Sequence, residues 1–218
     1  MKKSLNSTMA NLGEVVDVPG FYFRTEAMFA SAGVRPDPGF LLNDPSALQA
    51  AVNQREYPIG ARRATPLGIA QAYQMLFNGG TAVPLHVVSK QTDPVTGRVV
   101  HTADKLGSQR IVKRRHARQV AKWLEAPLEP GGTAASLRKR LPKGRYMAKT
   151  GTTSDGAAHH YTVLCDGDVL VVVWVSYGKL EGNRLTFGGT DGLDRLTSAG
   201  SAGRVAAYFF KNYKASAR

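Results

Sequence analysis

The sequence predicts an α/β chain of the α+β kind, an antiparallel sheet flanked by helices, on three observations. Residues 145–152, 161–166 and 168–177 read as strands, the last two joined by a tight turn at Asp166-Gly167. Thr65-Pro66 opens, and Asn78-Gly79-Gly80 closes, a run with helical spacing. Residues 198–213 end the chain as an Ala/Gly-rich helix.

Taken in order, Leu5, Met9, Leu12 and Val16 recur at helical spacing and predict a short helix over 4–16. The proline-rich stretch 34–46 reads as loop, and Tyr57-Pro58-Ile59-Gly60 as a turn. In the helix after Thr65, the residues Leu67, Ala70, Tyr73, Gln74 and Phe77 follow at three-to-four spacing. A hairpin is expected from Leu85-His86-Val87-Val88 and Arg98-Val99-Val100-His101 around a turn at 93–97. Residues 108–125 predict a basic amphipathic helix, with Arg110, Arg114, Arg118 and Lys122 on one face and Val112, His116, Val120 and Trp123 on another. That basic face reads as a solvated surface or as an anion-binding one. A short helix is expected near 134–141, and the last helix is expected to turn Val205, Tyr208 and Phe209 to the core. No internal repeat or linker interrupts the chain.

Length and composition narrow the function classes. The 218 residues suffice for one domain, or a large piece of one, and 43% hydrophobic content excludes a disordered chain. Twenty-nine Lys and Arg against 16 acidic residues give +13, a surface that attracts nucleic acid, anionic lipid or anionic cell-wall polymer without choosing among them. One cysteine, Cys165, allows no intrachain disulfide and reads as a buried small apolar residue. No apolar stretch has the length of a membrane span, and Met1-Lys2-Lys3 is followed by polar residues rather than a signal-peptide core. Adjacent His159 and His160 would point to opposite faces of a strand, so they read as a loop or site rim and no metal is expected.

The densest chemistry lies in Tyr146-Met147-Ala148-Lys149-Thr150-Gly151-Thr152-Thr153. Lys149 offers a cation, Thr150 and Thr152 share one strand face, and Gly151 lets a substrate backbone come close. Such an edge suits a peptide ending in a carboxylate, added as a further strand.

Three segments in order carry a family resemblance. Ser4-Leu5-Asn6 matches S-x-N, and Lys149-Thr150-Gly151 matches K-T-G. Between them, Ala64 to Tyr73 with Phe77-Asn78-Gly79-Gly80 is similar to the helix and turn that follow S-x-N in penicillin-binding transpeptidase domains, especially the bifunctional, class A-like type. Gly132-Thr133-Ala134 and Val172 to Gly178 resemble the approach to the active-site strand and the next long strand there.

The resemblance implies a β-lactamase/transpeptidase-like fold, truncated at its N-terminus, with residues 1–218 a partial domain beginning at S-x-N. It implies a serine-type D,D-transpeptidase activity outside the cytoplasm, on peptidoglycan stem peptides ending in D-Ala-D-Ala, with β-lactams as mimics and no cofactor. Carried over, Ser4 relays protons, Asn6 orients the substrate amide and Lys149 supplies charge. The hydroxyls of Thr150 and Thr152 hold the carboxylate, and the Thr152 N–H faces the oxyanion beside Gly151.

The family's S-x-x-K nucleophile precedes S-x-N, yet only three residues precede Ser4. Ser136-Leu137-Arg138-Lys139 and Ser176-Tyr177-Gly178-Lys179 match the pattern in the wrong places. The expectation is a chain inactive by itself, with the missing N-terminal part of the domain as a partner. Two alternatives stand beside it: a non-catalytic relative that keeps the peptide groove, and a basic nucleic-acid-binding module. The second lacks interleaved aromatics and any zinc or RNA-binding signature, so no nucleic acid is expected.

Overall fold

The computed structural model describes residues 2–5, 65–102, 107–152, 159–176, 178–182, 184–187 and 196–216. They fall in two compact units, one of residues 1–8 with 119–218 and one of residues 9–118. Ser4 and Leu5 are not helical, and Ser4 has φ +48°, in the left-handed region. The rest of the helix expected over 4–16, the loop at 34–46 and the turn at 57–60 lie outside the described residues.

In the unit of residues 9–118, α1 spans Pro66–Phe77. Thr65 caps it, its Oγ1 accepting from Gly68 N at 3.0 Å, and Pro66 stands where a missing N–H costs nothing. Its buried residues are Gly68, Gln71 and Met75, whereas Leu67 is exposed, so the packed face lies a step away from the predicted one. Met75 packs with Ala82, Ala72, Leu76, Ile111 and Val112. Gln71 works as a backbone clamp: its Nε2 donates to Val83 O at 2.9 Å and its Oε1 accepts from Leu85 N at 3.1 Å. Residues 85–88, expected as a strand, are instead exposed and irregular, and that clamp holds their start.

The strands here are short. β1 (Thr81–Ala82) pairs antiparallel with β4 (Gln109–Arg110), and β2 (Lys90–Thr92) pairs with β3 (Val99–Thr102). The turn falls at 93–97 as predicted, where Asp93 Oδ1 accepts from Val95 N and Thr96 N. Because Gln109–Arg110 is strand, the basic helix is shorter than expected: α2 spans Arg114–Trp123. Its buried residue is Ala117, and His116 and Trp123 are exposed, so the predicted apolar face is not the packed one.

The unit of residues 1–8 and 119–218 holds the main sheet. β5 (Met147–Thr152), β6 (His159–Cys165) and β7 (Leu170–Ser176) form a three-stranded antiparallel sheet in the order β5-β6-β7. The register runs from Met147↔Cys165 to Thr152↔His160, and from His159↔Ser176 to Cys165↔Leu170. Asp166 Oδ1 stabilises the 166–169 turn, accepting from Asp168 N and Val169 N. β6 begins at His159, so the histidine pair is strand, not loop. A further hairpin joins β8 (Gly178–Glu181) to β9 (Arg184–Phe187).

The last helix, α3 (Ala202–Ser216), packs on the sheet through Ala206, Ala207 and Phe210 against Tyr146, Ala148 and Leu164. The Phe210 and Tyr146 rings meet edge-on, 5.4 Å between centroids. Val205, Tyr208 and Phe209 face outward, contrary to the sequence expectation. The cause is the Ala and Gly pattern: Ala202, Gly203, Ala206 and Ala207 let the helix approach closely, and Gly203 lies against Leu137. A 3-10 stretch, Ala135–Arg140, buries Leu137 in the same core.

Candidate active site

β5 is an edge strand that carries Lys149, Thr150, Gly151 and Thr152. The Ala148 N–H turns away from the sheet to Leu124 O at 2.7 Å, so by alternation the Thr150 and Thr152 backbones also face the edge away from β6. Side chains alternate across the sheet. Lys149 lies on one face and the two threonines on the other.

On the first face, Lys149 Nζ donates to Ser4 Oγ at 2.9 Å and to Thr150 O at 2.5 Å. Burial lowers the Lys149 pKa from its ordinary 10.5. The segment bearing Ser4 is held on this unit by Lys2, whose carbonyl accepts from Thr133 N at 3.1 Å and whose Nζ pairs with Glu129 at 3.1 Å. The structure gives its own reason for a glycine at 151. A Cβ on it would stand 1.8 Å from the ring of Tyr161, which lies across it from β6.

On the opposite face, Thr150 Oγ1 donates to Thr133 Oγ1 at 2.9 Å. Thr133 is set there because Gly132 passes so close to Pro127 O that a Cβ would lie 2.2 Å from it. Thr152 Oγ1 lies 2.7 Å from Ser198 Oγ, and Ser198 Oγ donates to Gly151 O at 2.5 Å. Thr162 Oγ1 donates to Ser198 O at 3.1 Å, and His160 Nδ1 meets Ser201 Oγ at 2.7 Å. His160 is fully buried and its pKa is lowered by that burial.

The structure therefore brings Ser4 and Lys149 together and puts Thr150, Gly151 and Thr152 on the same edge strand; Asn6 lies outside the described residues. Ser198, Thr133 and Tyr161 stand beside these residues without a sequence signal of their own: Thr133 lies in the Gly132-Thr133-Ala134 resemblance, and no local pattern marks the other two. His159 packs against Trp174 with the rings tilted and 5.3 Å between centroids, away from the His160–Ser201 contact. Cys165 is buried and its thiol is pushed up to about 11, an inert core residue. Ser136 and Lys139 are exposed on the 3-10 stretch, and Ser176 ends β7.

The antiparallel sheet, backed by the C-terminal helix, carries on its edge strand K-T-G, a signature of penicillin-recognising serine acyl-transfer enzymes. The family model for the penicillin-binding protein transpeptidase domain matches residues 3–212, and the chain belongs to that family. It is 25% identical over 127 residues to penicillin-binding protein 1B of Escherichia coli strain K12, covering 58% of this chain and 15% of that protein. It is 29% identical over 157 residues to penicillin-binding protein 1B of Vibrio cholerae serotype O1, covering 70% of this chain and 18% of that protein. The chain thus spans less than a fifth of either curated relative, and these relatives agree with the class A-like resemblance.

Solved structures share the fold. A peptidoglycan glycosyltransferase from Burkholderia ambifaria superposes with TM-score 0.60 at 17% identity, over 95% of this chain and 59% of that one. The transpeptidase domain of Burkholderia pseudomallei penicillin-binding protein 3 does so with TM-score 0.57 at 16% identity, over 94% and 60%. No helix among the described residues is long and apolar enough to cross a membrane.

Proposed function

We propose that residues 1–218 form the peptide-gripping part of a peptidoglycan D,D-transpeptidase domain, working outside the cytoplasm, and that by themselves they form no acyl-enzyme. The observation that carries this reading is the Lys149–Ser4 hydrogen bond beside the outer edge of the K-T-G strand. A stem peptide ending in D-Ala-D-Ala adds along β5, its carboxylate drawn by the Lys149 charge. A half-buried ammonium whose described partners are two uncharged oxygens gains a counter-ion when that carboxylate arrives. The hydroxyls of Thr150 and Thr152 add to the grip only as far as they give up their internal bonds. Asn6 orients the substrate amide, and the outward Thr152 N–H serves the oxyanion. Ser4, bonded to Lys149, passes the proton that the acyl transfer moves.

Attack on the penultimate D-alanine carbonyl needs a serine activated by a lysine, and residues 1–218 hold S-x-x-K only at Ser136 and Ser176. Neither stands near S-x-N in sequence. A fluorescent-penicillin gel tests the reading. The chain alone should give no covalent band, and a longer polypeptide with an in-frame S-x-x-K upstream of Ser4 should give one. A band from the folded chain that disappears in Ser136→Ala or Ser176→Ala would contradict it.

A further inference from the structure

The buried hydroxyl of Ser198 decides which way the Thr152 hydroxyl points. Ser198 is 3% exposed, and its position is fixed from several sides. Its carbonyl accepts from Gly203 N at 2.8 Å and from Thr162 Oγ1 at 3.1 Å. Beside it, Thr197 Oγ1 accepts from Gly200 N at 3.0 Å, and Thr197 O accepts from Ser201 N at 3.0 Å. The oxygen of Ser198 is therefore set into the turn that starts α3.

A serine hydroxyl has one proton. That proton goes to Gly151 O, 2.5 Å away, because a carbonyl can only accept. The contact of 2.7 Å between Ser198 Oγ and Thr152 Oγ1 then has Thr152 as its donor. Thr152 spends its only proton inward and shows lone pairs to anything arriving at the strand. A carboxylate meeting those lone pairs is repelled, whereas a donor group is accepted.

We infer that Ser198 is a positioning residue that weakens the carboxylate grip of the Thr152 hydroxyl and leaves the attraction of an acidic terminus mainly to Lys149. This rests on the function proposed above. It also predicts opposite signs for stability and binding when the Ser198 oxygen is removed. Ser198→Ala loses a buried hydrogen bond to Gly151 O and unfolds more easily, yet frees the Thr152 proton for the ligand. A residue with only a structural role would lower both.

The test compares N-acetyl-D-Ala-D-Ala with its C-terminal carboxamide by NMR titration of the chain. Ser198→Ala should bind the acid about tenfold tighter relative to the amide, as expected for one charge-assisted hydrogen bond gained. Ser198→Thr, which keeps the oxygen, should hold the wild-type ratio. An acid-to-amide ratio unchanged or lowered in folded Ser198→Ala overturns the inference. A second measurement needs no ligand. Wild type should show a slowly exchanging hydroxyl proton correlated with the Thr152 side chain, and Ser198→Ala should lose it. A wild-type spectrum in which the Thr152 hydroxyl proton exchanges freely overturns the inference as well. If the Thr152 proton is seen and neither ligand binds, the donor direction stands and the proposed function fails.

Discussion

Lys149 Nζ donates a hydrogen bond to Ser4 Oγ over 2.9 Å, although 145 positions separate the two residues. The contact joins the edge strand of the sheet to the first residues of the chain, in one compact unit. Burial already holds the Lys149 pKa below 10.5, and Ser4 is one of the oxygens that favour its charged form. The Nζ titration, read by NMR at the Lys149 ε-carbon, should have its midpoint below 10.5. Ser4→Ala should lower it further. The sign for stability follows: the folded state releases this proton first, so stability rises with pH between the folded midpoint and 10.5.

The Tyr161 ring over Gly151 gives a coupled pair. Gly151→Ala puts a Cβ 1.8 Å from that ring and should destabilise the unit by about 1–3 kcal/mol in urea unfolding. In a Tyr161→Ala background the same change should cost much less. Additive losses in the double mutant would show that the ring is not the obstacle.

The outward and inward faces of α3 should differ sharply. Phe210 is fully buried against Tyr146, and Phe210→Ala should cost about 3–5 kcal/mol. Tyr208 is 70% exposed, and Tyr208→Ala should stay within about 0.5 kcal/mol. Chemical denaturation of the two variants checks the reassigned helix face.

His160 should make the fold acid-sensitive. Its pKa is lowered from 6.5 by burial, so the unfolded chain takes up this proton before the folded one does. Its contribution is intact above 6.5, falls as pH drops through the window below that value, and levels off beneath the folded pKa. Midpoints of urea unfolding from pH 8 down to about 4 should fall in wild type and fall less in His160→Gln.

The sheet was legible because alternation and the Asp166-Gly167 turn fix its register locally, and the observed strands lie within two residues of the predicted ends. Helix existence was legible too, at Thr65-Pro66 and at the Ala/Gly-rich end. Helix faces were not. Bulky residues at helical spacing suggested the core, but α3 packs through alanines and Phe210, and α1 through Gly68, Gln71 and Met75. The hairpin strand slipped from 85–88 to Lys90–Thr92 because a buried glutamine side chain, not a strand partner, holds Leu85 N. The meeting of Lys149 and Ser4 was legible only through motifs in order. The Ser198–Thr152 contact spans 46 positions with no motif at its far end, so nothing local announces it.

The most direct measurement of the central claim is the binding of N-acetyl-D-Ala-D-Ala and its C-terminal carboxamide to the wild-type chain and to Lys149→Ala. Chemical shifts along β5, Met147–Thr152, report the complex. The account predicts saturable binding of the acid, weaker binding of the amide, and loss of the acid's advantage in Lys149→Ala. The acid should also bind more weakly as pH rises through the lowered Lys149 pKa. Equal binding of acid and amide, or an acid affinity unchanged by Lys149→Ala, would contradict the claim that this strand grips a terminal carboxylate.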